Sequence, residues 1–103
     1  IRALYYPPQE PSDDETTGLG AHTDVQLVTM IAQKPFDSPG PEVLNAAGRW
    51  ISPNLEPETF VFNLGDMMGR LTNHQFLATV HRVINKTGKP RYSLPFFFGL
   101  NND

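Results

Sequence analysis

Two histidines and one aspartate are the residues of this chain best suited to chemistry. His22 and Asp24 stand two apart in His22-Thr23-Asp24, and His81 follows much later. Residues two apart on an extended strand face the same way, so the first pair can point into one space. Two imidazoles and a carboxylate on one face of an octahedral metal leave three positions open, the donor set of non-haem Fe(II) oxygenases. Imidazole and carboxylate also suit Zn(II), so donor type alone leaves the metal open. The chain has no cysteine, which removes thiolate zinc sites, iron–sulfur clusters and disulfides.

A second group lies at Arg91-Tyr92-Ser93. A guanidinium fork beside a hydroxyl is a carboxylate receptor, because arginine can engage both oxygens at once. A metal with open positions and a nearby seat for an anion suit 2-oxoglutarate. Its 2-oxo acid end would chelate the metal while its far carboxylate meets Arg91 and Ser93.

The elements that must position these residues read as strands. Residues 79–101 are expected to form a β-hairpin, turning through Asn85, Lys86, Thr87, Gly88, Lys89 and Pro90. His81 then shares a face with Thr79 and Val83, and Arg91 with Ser93. The alternating neighbours Tyr92, Leu94, Phe96 and Phe98 are large and apolar, and core positions are expected for them. Phe97 shares the face of Arg91 and is expected to border the pocket. Arg82 falls on the face opposite His81, where a structural salt bridge is its default.

Upstream, residues 1–6 form a β-prone run ended by Pro7-Pro8. Residues 19–31 suit one or two strands, and 59–63 another. Residues 42–45 and 49–52 flank Ala46-Ala47-Gly48 as a second hairpin. Residues 64–71 are the one helix-like patch, with Asp66 at its start and Met67, Met68 and Leu71 toward the core. Residues 11–18, with Asp13, Asp14 and Glu15, and residues 33–41 read as loops. His74, in the polar turn after the helical patch, reads as a surface residue. Asn85-Lys86-Thr87 matches a glycosylation acceptor and is taken as turn. Seven or eight short strands separated by Gly and Pro turns argue an all-β sandwich or small barrel, jelly rolls among them.

At 103 residues the chain is one domain at most, and seven Phe among 39% hydrophobic residues supply apolar material for a core. A formal net charge of −3 gives no electrostatic footprint for nucleic acid or for an anionic membrane. No apolar run approaches the roughly 18 residues of a membrane span, and no secretory signal is seen. A cytoplasmic location is the expectation. The chain opens at Ile1 in strand-like sequence, and residues 1–103 are expected to be a fragment of a longer protein.

The segments RALYYPP, GLGAHTDVQLVTMIAQ, PEVLNAAGRWISP, TFVFNLGDMMGRLTN, TVHRVIN and RYSLPFFF occur in one order over most of residues 1–101. In them the chain resembles the C-terminal catalytic core of the Fe(II)/2-oxoglutarate-dependent dioxygenases, in their isopenicillin N synthase-like branch. The resemblance implies an all-β double-stranded β-helix (jelly roll) with one short helix. It implies His22, Asp24 and His81 as iron ligands, Arg91 and Ser93 as the co-substrate clamp, and Tyr6 as a further hydrogen-bond donor to the co-substrate. Fe(II), 2-oxoglutarate and O₂ are the cofactors and co-substrates implied. A small organic molecule would be hydroxylated or desaturated with release of succinate and CO₂. The partners implied are that substrate and the N-terminal remainder of the same protein. Two positions depart from the common pattern: Leu4 stands where plant members often have Asn, and Gln26 where Gly is frequent. Isopenicillin N synthase carries the same Arg-x-Ser pair without using 2-oxoglutarate. An Fe(II) oxidase of that type, or a non-catalytic jelly-roll module, remains the alternative.

Overall fold

β-Branched and aromatic runs broken by glycine and proline give short strands, and here they build two facing antiparallel sheets. The computed structural model describes residues 1–8, 18–34, 40–53, 55–84 and 88–101. The strands are β1 (Leu4–Tyr6), β2 (Gly18–His22), β3 (Val28–Lys34), β4 (Pro41–Leu44), β5 (Trp50–Ile51), β6 (Val61–Leu64), β7 (His81–Ile84) and β8 (Arg91–Phe98). One helix, α1 (Asp66–Leu71), follows β6. One sheet runs β1-β8-β3-β6 and the other β2-β7-β4-β5. This is the expected double-stranded β-helix, with the run 19–31 divided into two strands, one in each sheet.

The β4–β5 hairpin forms where it was expected. The Asn45 side-chain oxygen accepts from the N–H groups of Ala47 and Arg49. Gly48 has φ +78°, the left-handed conformation that glycine adopts without steric cost. On the outer face of the same sheet, Glu42 and Arg82 stand directly opposite on β4 and β7. The Glu42 carboxylate accepts from Arg82 at 2.7 and 2.8 Å, and the guanidinium stacks 4.0 Å from the Trp50 ring. The structural salt bridge expected of Arg82 is therefore present.

The hairpin expected over residues 79–101 is not. β7 pairs with β2 and β4, whereas β8 pairs with β1 and β3. Both edges of each strand are taken by other partners, so the chain crosses from one sheet to the other between β7 and β8. A six-residue connection does not impose the pairing that a two-residue turn would. His81 and Arg91 still face each other's space, but across the sandwich. The glycosylation-like tripeptide at 85–87, the acidic trio at 13–15 and residues 35–39 lie outside the described residues.

The second correction concerns β8. Arg91, Ser93 and Pro95 are buried on its inner face. Tyr92, Leu94, Phe96 and Phe98, expected in the core, point the other way and are 39–54% exposed. Phe62, Met30 and Val28 continue that outer apolar face across β6 and β3. Met67 and Met68 are half-buried, and Leu71 is exposed. Among the described residues the buried hydrophobics are Val83 and Ile84, while the buried polar residues are Asp24, Thr29, Gln33, Arg91 and Ser93. An interior this polar marks a site, because unpaired polar groups are costly to bury.

Candidate active site

His22 ends β2 and His81 begins β7, and the two are direct cross-strand partners. The β2–β7 register shifts between Leu19 and His22, an irregularity of the kind that re-aims a side chain. The result is two imidazole rings with centroids 4.3 Å apart, both facing the space between the sheets. Each ring is held from behind. Nδ1 of His22 lies 2.8 Å from the Gly20 carbonyl oxygen, and Nδ1 of His81 lies 2.9 Å from that of Thr79. A carbonyl can only accept, so both Nδ1 atoms carry a proton, and in the neutral ring this leaves the Nε2 lone pair for a metal.

Asp24 reaches the same point from the loop after β2. That loop is fastened by the start of α1, whose Gly65 N-cap has no side-chain cap. The N–H groups of Gly65 and Asp66 donate to the carbonyls of Leu27 and Asp24 at 2.9 and 2.7 Å. That of Met67 reaches the carbonyls of Val25 and Gln26 at 3.3 and 3.4 Å. The unsatisfied donors of a helix start thus become the clamp for the aspartate loop. A Cβ at Gly65 would fall on the carbonyl oxygen of Gln26. Gly65→Ala is therefore expected to lower the melting temperature of the full-length protein and to weaken Fe(II) binding by about tenfold, through overpacking against backbone. Thermal melting and anaerobic iron titration together check this, and parent-like values in both would overturn the clamp.

The Asp24 carboxylate is itself divided between two tasks. Oδ2 accepts from Thr29 Oγ1 at 2.5 Å and from the Asn63 amide at 2.9 Å. Oδ1 faces His22 Nε2 at 3.4 Å and His81 Nε2 at 3.6 Å. Burial raises the pKa of this carboxyl, but the hydrogen bonds from Asn63 and Thr29, together with positive charge on the His81 and His22 rings when they are protonated, outweigh it. The net shift is downward from 3.8, so the group is ionised at neutral pH. Asn63→Leu removes one fixed donor and is expected to weaken Fe(II) binding about 10–100-fold, read by anaerobic titration.

Two imidazole lone pairs and an anionic oxygen thus converge, with their donor atoms all within 4.8 Å of one another. Three acceptors aimed at one point repel unless a cation sits between them. Ligands at right angles, each about 2.1 Å from a metal, lie about 3 Å apart, so sub-ångström motions would close this set on an ion. The three residues fit a divalent cation.

A second site occupies the same cavity. Arg91 is 2% exposed, and its Nε and NH1 atoms have no hydrogen-bond partner among the described residues. Its NH2 donates to Gln33 Oε1 at 2.7 Å. Burial depresses the guanidinium pKa from its ordinary value, and Tyr6 beside it opposes the shift. The Tyr6 ring centroid lies 5.1 Å from the guanidinium carbon, and Ser93 is buried two residues along the same face. A buried cation with unmatched donors is a seat for an anion.

All six residues singled out from the sequence, His22, Asp24, His81, Arg91, Ser93 and Tyr6, line this one cavity, and Phe97 borders it as expected. His74 is exposed. Gln26 packs its side-chain amide against Gly99, a position where a Cβ would strike it. Thr29, Gln33, Asn63 and Gly65 were not singled out from the sequence. For Thr29 and Gln33 a signal existed: both are polar and share a face of a strand that is otherwise apolar up to Lys34.

The family model of the 2OG-Fe(II) oxygenase superfamily matches residues 1–100. The chain is 43% identical over 106 residues to the 2-oxoglutarate-Fe(II) type oxidoreductase hxnY of Emericella nidulans, covering all of this chain and 30% of that protein. It is 40% identical to homoarginine-6-hydroxylase 2-ODD-233 of Oryza sativa subsp. japonica, over 99% of this chain and 32% of that protein. A full-length Neurospora crassa protein, solved as a crystal structure in complex with alpha-KG, matches with a TM-score of 0.86 at 29% identity, over 96% of this chain and 33% of that one. The chain spans about a third of the length of each.

Proposed function

We propose, because this chain belongs to the 2OG-Fe(II) oxygenase superfamily, that it is the catalytic core of an Fe(II)- and 2-oxoglutarate-dependent oxygenase acting on a small organic molecule. The observation that carries this reading is the buried Arg91, with unmatched donors, in one cavity with three converging metal-type donors. A metal site alone would suit many chemistries. A metal site with a carboxylate seat beside it selects a co-substrate that has a chelating end and a distant carboxylate.

Nε2 of His22, Nε2 of His81 and Oδ1 of Asp24 would hold Fe(II). Thr29 and Asn63 keep Oδ2 occupied, so Asp24 would offer its other oxygen, Oδ1, to the ion. Arg91 and Ser93 would fix the far carboxylate of 2-oxoglutarate, and the Tyr6 hydroxyl would add a donor to it. Val43, Val61, Val83 and Phe97 give the cavity apolar walls that limit water. With 2-oxoglutarate and O₂, bound iron supplies an oxidant able to take hydrogen from an unactivated C–H bond while the co-substrate leaves as succinate and CO₂. The chain's own share is geometry, charge and dryness. The substrate would be chosen by loops and by the rest of a longer protein, in which residues 1–103 form the C-terminal core.

Anaerobic addition of Fe(II) and then 2-oxoglutarate to the full-length protein tests this. A weak visible charge-transfer band that requires both is the expected result. Iron binding without the band would favour a 2-oxoglutarate-independent oxidase. No iron binding would leave a binding module.

A further inference from the structure

We propose that Gln33 is a positioning residue for the co-substrate: its side-chain oxygen holds the Arg91 guanidinium in the orientation that presents the remaining donors to the far carboxylate. This rests on the reading of Arg91 as the carboxylate seat.

Arg91 pairs through its backbone with Tyr6 on β1, at one side of β8. Gln33 sits on β3, at the other side, directly opposite Ser93. The guanidinium therefore lies between an aromatic ring, 5.1 Å away, and an amide oxygen, 2.7 Å away. Its stem passes Gly40, where a Cβ would meet Cδ at 3.4 Å. The ring and the stem contacts restrict where the group sits, and a side-chain hydrogen bond with Tyr6 holds it from the β1 side. The hydrogen bond to Gln33 holds it from the β3 side, and the two anchors together set its rotation about its own axis; Gln33 is itself only 6% exposed.

The chemistry of the acceptor matters as much as its place. A carboxylate at position 33 would hold Arg91 more strongly but would also neutralise it, leaving little attraction for a second anion. An amide oxygen orients the cation and leaves its charge unspent. The use of a neutral acceptor at a buried arginine is what a carboxylate-binding site requires and what a structural ion pair does not.

The test compares Gln33→Met, Gln33→Glu and Arg91→Ala in the full-length protein, by anaerobic calorimetric titration with Fe(II) and then with 2-oxoglutarate. For Gln33→Met, 2-oxoglutarate affinity is expected to fall about tenfold, the size of one lost hydrogen bond to a charged group. Fe(II) affinity should stay within about twofold, because the variant leaves the metal donors and their supports untouched. Gln33→Glu, equal in size to glutamine, should lose more 2-oxoglutarate affinity than Gln33→Met, although it holds the arginine harder. It keeps the test open if the methionine variant folds poorly. Discrimination against the longer 2-oxoadipate should also shrink in Gln33→Met, because the guanidinium can then turn to meet a displaced carboxylate.

If Arg91→Ala loses 2-oxoglutarate affinity while both Gln33 variants keep it, the positioning role is overturned and the carboxylate seat stands. Loss of iron and 2-oxoglutarate affinity together in the Gln33 variants would mean a packing role and overturn it equally. If Arg91→Ala also binds 2-oxoglutarate normally, the seat itself is wrong and the inference falls with it.

Discussion

Replacing His81 with alanine in the full-length protein is expected to abolish 2-oxoglutarate-dependent succinate formation. The reason is structural redundancy, or its absence. The chain has three histidines, and the third, His74, lies exposed on the turn after α1. No other imidazole of this chain can move in. β7 is hydrogen-bonded to strands on both sides, so the backbone at position 81 cannot shift to bring a substitute forward. What remains is His22 and a clamped Asp24, two donors where the proposed ion needs three. Fe(II) affinity should fall by more than about 100-fold, beyond the roughly 10–100-fold typical of residues that only support a ligand. Equilibrium dialysis with metal analysis reads the iron, and succinate release reads the turnover. A His81→Ala protein that retains both would remove the metal assignment.

Arg91→Ala should spare iron and strike the co-substrate. Two charge-assisted hydrogen bonds to a carboxylate in a buried site contribute about 3 kcal/mol, so 2-oxoglutarate affinity should fall about 100-fold. Because Arg91 is almost fully buried, solvent screening does little to soften that loss. The alanine also releases Gln33 from its hydrogen bond to the guanidinium, a rearrangement away from the metal donors. Fe(II) titration should therefore be close to that of the parent, and the charge-transfer band should appear only at much higher 2-oxoglutarate. Equal loss of iron and co-substrate would mean that Arg91 supports the fold rather than the anion.

The residues that could be read directly were those whose partners lie two positions away. His22 with Asp24, and Arg91 with Ser93, share faces by strand geometry alone, and both pairs end up in one cavity. The β4–β5 hairpin was legible because its turn chemistry is local. What could not be read was which sheet each strand would join. That choice depends on pairing across tens of residues, and it turned an expected β7–β8 hairpin into a crossing between sheets. The apolar residues of β8 misled for a related reason. Alternation marks two faces without saying which one covers the interior, and here the chemistry took the inside. Gly65 was silent because nothing local reveals that the carbonyl of Gln26 would lie against it. Asn63 carries no local mark either, since its partner is reached across the β3–β6 pairing.

The strict alternation of β8 makes that strand a reading frame. Inner positions 91, 93, 95 and 97 face the cavity, and 92, 94, 96 and 98 form an apolar exterior, so parity alone separates the two faces. Inserting or deleting one residue within the strand would exchange the two sets at a stroke, putting tyrosine and leucine against the cavity and arginine on an oily surface. Point changes can be absorbed one side chain at a time; a change of length cannot. One substitution at an outer position of β8 is therefore expected to cost far less than one residue added to or removed from the strand.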